Sequence, residues 1–470
     1  MRLATARQSN SKFGSGYFYS VIKTKSAIGA AVLASSLLFG LTAAPAIAAG
    51  TASPSPSPSP TESPAAPGSC SAKAAISNPA LGRFYGYVID ASSGNTLLDV
   101  RGSEQTPSAS VLKVLTAATA LTKLPVATYR AKTAVLTIPG EPSTIVLRGG
   151  GDFSLSQLTK DSRSTYTAAP RLETLAQNVL NNWSSDAEIT KIILDSSLFS
   201  GPSYNPFWKA SDRTNGYISN ITALQLDSDR RNGDITSLAY DGFRSTDPIG
   251  KTGQLFKAAL KSLAPNAKLV IGKTPKTAVE LTSVSSQPMD FWLHHAMMAS
   301  DNTETEFIAR HVAIASGLSA SFDSIEPMTK QILAGYAIDS TGLVMKDASG
   351  LAQADRVTPR IIAHLMELAA TPNTVLSPLE SYLPVAGESG TLAGRFNGVN
   401  AVARNYVKGK SGFIPGLYSL AGIIDAKDGT RLAYAMFARS ADGKQVGWAT
   451  RGALDSVATR FYVCGAQLTK

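Results

Sequence analysis

Cysteine and histidine are scarce in this chain of 470 residues, with two of the first and four of the second. Two cysteines cannot build a disulfide scaffold or a Cys-rich zinc site. His294, His295, His311 and His364 form no His-Glu-x-x-His pattern, which argues against metal-assisted hydrolysis. Aromatic residues are few at 7%, yet 44% of the residues are apolar, enough at this length to bury the cores of two or three domains. Acidic residues are missing altogether before Glu62, so Arg2, Arg7, Lys12, Lys23 and Lys25 supply half of the formal charge of +10. Beyond them 39 cations face 34 acids with no basic stripe. Nucleic acid is therefore not an expected partner, whereas an anionic extracellular surface is compatible with the charge.

What the leader does contain is an apolar run, AIGAAVLASSLLFGLTAAPAIA at 27 to 48, behind a basic segment and ending on Ala46-Ile47-Ala48. This small-x-small ending is one a signal peptidase accepts, and Pro45 with its small neighbours suits cleavage better than a helix end. The run is also long enough to stay as a membrane anchor, since a spanning helix needs about 20 apolar residues. Export follows in either case. Residues 51 to 68, TASPSPSPSPTESPAAPG, read as an extended, solvated spacer. Folding is expected to begin near Cys70. In an oxidising compartment Cys70 and Cys464 are expected to pair, the alternative being two unrelated buried thiols.

Two strand-like runs in RFYGYVIDASSGNTLLDV (83 to 100) surround Ser92-Ser93-Gly94-Asn95 and predict a hairpin. From 110 to 124, apolar residues at 111, 114, 115, 118 and 121 predict a buried helix. Near the other end, 402 to 413, 416 to 426 and 431 to 439 read as strands, and 448 to 464 as a helix capped at Gly465. Two early and three late strands predict one antiparallel sheet assembled from both ends of the chain and covered by helices. The stretch from 128 to 284 carries further strand-like runs (TAVLTI, TIVLRG, KIILD, KLVIG) and helices at 171 to 182 and 252 to 263. It reads as an inserted α+β domain. The expected organisation is a leader (1–48), a linker (49–69), a main domain from 70–127 and 285–470, and the insertion at 128–284.

Ser110 and Lys113 form the one Ser-x-x-Lys pair downstream of the leader, at the start of the buried helix. Spacing of three puts hydroxyl and amine on one helix face, and the helix N-terminus favours negative charge on the seryl oxygen. A desolvated lysine is a sensible base for a serine nucleophile in a chain so poor in histidine. A capping Ser with a snorkelling Lys would look the same in isolation. Ser300-Asp301-Asn302 falls between two predicted helices, 288 to 299 and 303 to 315, where a turn can project side chains into a cleft or cap the next helix. Lys410-Ser411-Gly412 lies on a predicted strand, where a Gly marks close approach by a backbone or ligand and a Lys can equally be a solvated edge residue.

In this order the three motifs resemble the serine penicillin-recognising enzymes. Seven stretches extend the resemblance: GYVIDASSGNTLLD (86 to 99), LRGGGDFSL (147 to 155), ILDSSLFSGPSYNPFW (193 to 208), MMASDN (297 to 302), DASGLAQADRVTPR (347 to 360), LPVAGESGTLAGRF (383 to 396) and KSGFIPGLYSLAG (410 to 422). Together they resemble the D-alanyl-D-alanine carboxypeptidase/endopeptidase family, the class C low-molecular-mass penicillin-binding proteins. The resemblance implies an α+β fold with a five-stranded antiparallel sheet flanked by helices, and an insertion between the first and second motifs. It implies an acyl-enzyme on Ser110, with Lys113 as its base, Ser300 relaying a proton and Asn302 holding the substrate amide. Lys410 and Ser411 would face the terminal carboxylate, Gly412 would let substrate lie along the strand, and the N–H groups of Ser110 and Phe413 would form the oxyanion hole. Asp347 and Ser349 are expected to be fold residues near the cleft. Peptidoglycan stem peptides and β-lactams are the implied partners, no cofactor or metal is implied, and the membrane is met only through an uncleaved leader. Two departures stand out: Ser411 and Phe413 occupy positions where the family usually has Thr. The insertion also looks short, which predicts one inserted domain and no third. A β-lactamase, or an inactive wall-binding protein on the same fold, would carry the same motifs.

Overall fold

The computed structural model describes residues 70–230, 243–440 and 446–470. The expected leader and linker, and the end of the charged stretch at 226 to 234, lie outside these residues. Among the described residues no helix is long and apolar enough to cross a membrane.

A five-stranded antiparallel sheet runs in the order Thr96–Val100, Arg83–Asp90, Arg431–Arg439, Leu417–Asp425, Val407–Ile414. The turns that join its neighbours place a glycine at positive φ, Gly94, Gly429 and Gly416; Gly416, read from the sequence as the first residue of a strand, belongs to the turn before Leu417. Alternation along the strands sends side chains to two separate cores. Tyr85, Tyr87, Ile89, Ala433, Ala435 and Phe437 face a large helical core that includes Lys113–Lys123, Met289–Ala299, Asn302–Ala315 and Pro359–Ala370. Phe84, Val88, Leu432, Tyr434 and Met436 face the other way, onto Leu454, Val457 and Phe461 of the terminal helix Trp448–Cys464. A disulfide joins Cys70 to Cys464, and Cys70–Ser71 pairs in parallel with Leu468–Thr469, so the two ends of the folded chain are fastened side by side.

The strand expected over 402 to 413 begins at Val407. Residues Gly398–Ala403 wind into a 3-10 helix, and Asn405 turns through a φ of 67°, which breaks the extended run before the sheet is reached. Similarly, the helix expected from 252 begins earlier, at Pro248, where Pro in the first turn and an Asp247 cap on the Gly250 N–H start it.

Between the first and second motifs stands a second five-stranded sheet, ordered Lys268–Ile271, Lys191–Asp195, Glu141–Arg148, Lys132–Ile138, Val279–Ser285. It is mixed: the first three of these strands run parallel to one another, the rest antiparallel. Its own core packs beneath the helices Leu172–Asn182 and Pro248–Ala259. The long connections that leave this sheet, over 149–230, reach back to the turn between helices Met289–Ala299 and Asn302–Ala315 through the contacts described below.

Candidate active site

Ser110 lies in a 3-10 turn, Ala109–Leu112, that runs into the helix Lys113–Lys123. Ala109, just before it, has a positive φ of 47°, an unfavourable conformation for a residue with a side chain. The helix that follows is buried nearly all round, so Lys113 enters the interior with its amine. Its Nζ is 3.1 Å from Ser110 Oγ, 2.6 Å from Asn302 Oδ1 and 2.7 Å from the Ser349 carbonyl oxygen.

Ser300 ends its helix in the left-handed region, at φ 58°, and Asp301 caps the next helix by accepting from the Glu304 N–H at 3.0 Å. A one-residue left-handed stop followed directly by an N-cap makes an abrupt corner, which aims Ser300 and Asn302 at the same space. Asp301 is buried and is held from the far side by the Tyr166 hydroxyl at 3.0 Å and the Arg230 guanidinium at 3.5 Å. Asn302 donates from Nδ2 to the Tyr217 carbonyl at 2.9 Å, which leaves its Oδ1 for Lys113.

Val407–Ile414 is the edge strand on the opposite wall. Lys410 Nζ donates to Ser300 Oγ at 2.8 Å and to the Ser411 carbonyl at 2.9 Å. Gly412 shares that face of the strand, and a Cβ there would stand 2.9 Å from the Ser110 nitrogen and 2.3 Å from Ser419 Oγ. Only glycine allows the strand so close to the serine. Ser411 and Phe413 alternate to the other face: Ser411 Oγ bonds Thr391 Oγ1 at 2.7 Å, and the half-exposed Phe413 ring lies 4.7 Å from that of Tyr418. Ile414 and Leu417 flank a two-residue turn and so form a hydrogen-bonded pair, which directs the Phe413 N–H and C=O outward, off the sheet edge.

The three motifs are thus joined, first to second by the side chains of Lys113 and Asn302, second to third by those of Ser300 and Lys410, and third to first by the backbone of Gly412 against that of Ser110. Both lysines are fully buried. Loss of water pulls the Lys113 ammonium down to about 8, against the opposing pull of Asp347, Glu306, Asp301 and Asp355. Burial drives Lys410 well below its ordinary range, helped by the charges of Lys113 and Arg395.

Several contributors escaped the sequence reading. The Ser349 carbonyl is a backbone atom and leaves no mark in a sequence. Thr391, the partner of Ser411, sits in LPVAGESGTLAGRF, and Arg395 of the same stretch pairs with Asp455 at 2.5 Å. Glu306, buried and accepting from the Ala348 and Ser349 N–H groups, follows Asn302 by four residues on one helix, a spacing that could have drawn attention to it.

Comparison with known proteins follows the same lines. The family model of the D-Ala-D-Ala carboxypeptidase 3 (S13) family matches residues 70–242 and 238–461. The carboxypeptidase DacB of Mycolicibacterium smegmatis is 32% identical over 395 residues, which cover 83% of each chain. A D-alanyl-D-alanine carboxypeptidase of an Actinomadura species is 25% identical over 429 residues, covering 77% of this chain and 79% of that one. Among solved structures, penicillin binding protein 4 of Haemophilus influenzae superposes with a TM-score of 0.69 at 19% identity, covering 83% of this chain and 97% of that one. This likeness shows the same α+β fold.

Proposed function

Because the chain belongs to the D-Ala-D-Ala carboxypeptidase 3 (S13) family, we propose that it hydrolyses the D-Ala-D-Ala end of peptidoglycan stem peptides, and the cross-links made through that residue, by way of an ester on Ser110. The observation that carries this reading is the contact of Ser110 Oγ with the buried Lys113 amine. A neutral amine has two N–H groups, which suit Asn302 Oδ1 and the Ser349 carbonyl, and a lone pair left for the seryl proton. With its ammonium lowered to about 8, roughly a tenth of Lys113 is neutral at pH 7.

In the first step Lys113 Nζ takes the Ser110 proton as Oγ attacks the carbonyl carbon of the penultimate D-alanine. The oxyanion sits against the N–H groups of Ser110 and Phe413, a contribution of the backbone that the Phe413 side chain does not alter. The C–N bond then breaks, and the leaving amine takes a proton through Ser300, which Lys410 orients. Asn302 holds the substrate amide. The terminal carboxylate meets Lys410 by charge, while the Ser411 hydroxyl, expected from the sequence to join it, is bonded to Thr391 on the other face of the strand. Water attacks the ester and releases the shortened peptide, which returns Ser110 to its starting form. A β-lactam follows the same acylation but departs slowly. The basic leader and Ala46-Ile47-Ala48 support an extracytoplasmic site of action, where such substrates are found.

Release of D-alanine from a synthetic stem pentapeptide tests the reading. Ser110→Ala is expected to release none while folding normally. Release by that variant at the native rate would overturn the assignment.

A further inference from the structure

The stretch Asp347-Ala348-Ser349-Gly350 packs against the catalytic helix, yet none of its side chains has a part in the steps above. We infer that Asp347 is a positioning residue for Lys113, acting as its counter-charge through the peptide that links Ser349 to Gly350. The inference rests on the acyl-enzyme reading. One end of that peptide, the Ser349 carbonyl, accepts from Lys113 Nζ at 2.7 Å. Its other end, the Gly350 N–H, donates to Asp347 Oδ1 at 2.7 Å. A peptide held between a cationic donor and a carboxylate is polarised along that line, so the carboxylate strengthens the carbonyl as an acceptor for the amine.

Asp347 has no freedom to do otherwise. Its Oδ1 also accepts from the Ser349 N–H at 3.1 Å, and its Oδ2 accepts from the Ala352 N–H at 2.8 Å and the Trp208 indole at 2.7 Å. Gly350 has a φ of +79°, and a Cβ there would lie 1.9 Å from the Ala109 carbonyl oxygen, so the loop is pressed against the residue that precedes the nucleophile. The peptide one residue earlier is clamped as well, by Thr116 Oγ1 on the Ala348 carbonyl at 2.7 Å and by Glu306 on the Ser349 N–H at 2.9 Å.

The charges facing Lys113 come from three elements: Asp301 and Glu306 on the helix of Asn302, Asp347 and Asp355 on this loop and its continuation, and Lys410 on the edge strand. Asp301 already faces Arg230, and burial holds Glu306 up at about 8 and Asp355 well above the carboxylate range. Asp347 is the carboxylate with a bonded route to the amine.

The rate of acylation by a chromogenic cephalosporin, measured from pH 5 to pH 10 on the full chain, tests this. Asp347→Asn removes negative charge, so Lys113 loses its proton more easily and the acid limb moves down by about one pH unit, with a lower plateau. Trp208→Phe takes a donor off the carboxylate and leaves its charge, so the limb moves the opposite way, up by a few tenths of a unit. Should Asp347→Asn not fold, Trp208→Phe carries the test alone. Limbs that stay with the native enzyme while rates fall would overturn the inference and reduce Asp347 to a structural part. If the native enzyme forms no adduct on Ser110, the functional reading itself fails and this inference falls with it.

Discussion

Two fully buried lysines belong to the site, one on a helix and one on the edge strand, and their surroundings differ in kind. Lys113 stands on the helical wall with three oxygens fixed around its amine and four acids within electrostatic reach. Lys410 stands on the strand wall with the Ser300 hydroxyl and its neighbour's carbonyl, and the charges that act on it are cationic, Lys113 and Arg395. The first site is complete in itself and suits an amine that gains and loses a proton. The second is short of negative charge, and a buried cation so placed is costly until an anion arrives. A substrate carboxylate would supply it. In the proposed mechanism the contrast divides the labour of the site: the helices would hold the base, and the strand would await the substrate's charge.

The largest expected effect comes from removing the two amines separately. Lys113→Ala should slow acylation of Ser110 by about a thousandfold for every substrate, because a general base typically contributes 10² to 10⁴. Lys410→Ala should instead discriminate, losing about a hundredfold in kcat/KM on a free D-Ala-D-Ala peptide and far less on its C-terminal amide. Equal losses on acid and amide would erase the distinction between the walls. Next comes Gly412→Ala, whose Cβ would press on the Ser110 nitrogen and push the strand outward; acylation is expected to fall at least tenfold with the melting temperature little changed.

Proton linkage gives a finer test. An anion beside Lys410 raises its depressed proton affinity, so a non-reactive D-amino acid carboxylate should bind with uptake of a proton and weaken as pH rises toward the ordinary lysine range. Binding that is flat with pH, measured calorimetrically in two buffers, would contradict this. The smallest effect on catalysis is expected far from either wall. Replacing Cys70 and Cys464 by Ser opens a loop of sequence separation 394 and should cost on the order of 5 kcal/mol of stability in the chain-entropy account, while acylation of the folded fraction stays unchanged.

Much of this arrangement was legible in the sequence, and the reasons are physical. The main sheet shows through because its strands alternate between two cores, so period-two patterning survives at both ends of the chain. Ser110 with Lys113, Ser300 with Asn302, and Lys410 with Gly412 announce themselves by fixed local spacing, three on a helix, two across a turn, two along a strand. Strand order in the second sheet was not legible, since Lys191–Asp195 and Lys268–Ile271 are linked in parallel across long connections that carry no register signal. Val279–Ser285 escaped notice because its mostly half-exposed, polar residues lack a strand's apolar face. The Ser349 carbonyl could not have been found from side-chain chemistry at all. What fixes Lys113 there is a backbone oxygen, brought in by a glycine and two buried carboxylates.

Intact-mass spectrometry with and without benzylpenicillin, followed by peptide mapping, tests the central claim most directly. A single added penicilloyl mass on the peptide containing Ser110, absent in Ser110→Ala and greatly slowed in Lys113→Ala, is the predicted result. An adduct elsewhere, or none with the penicillin left intact, would contradict an acyl-enzyme on Ser110.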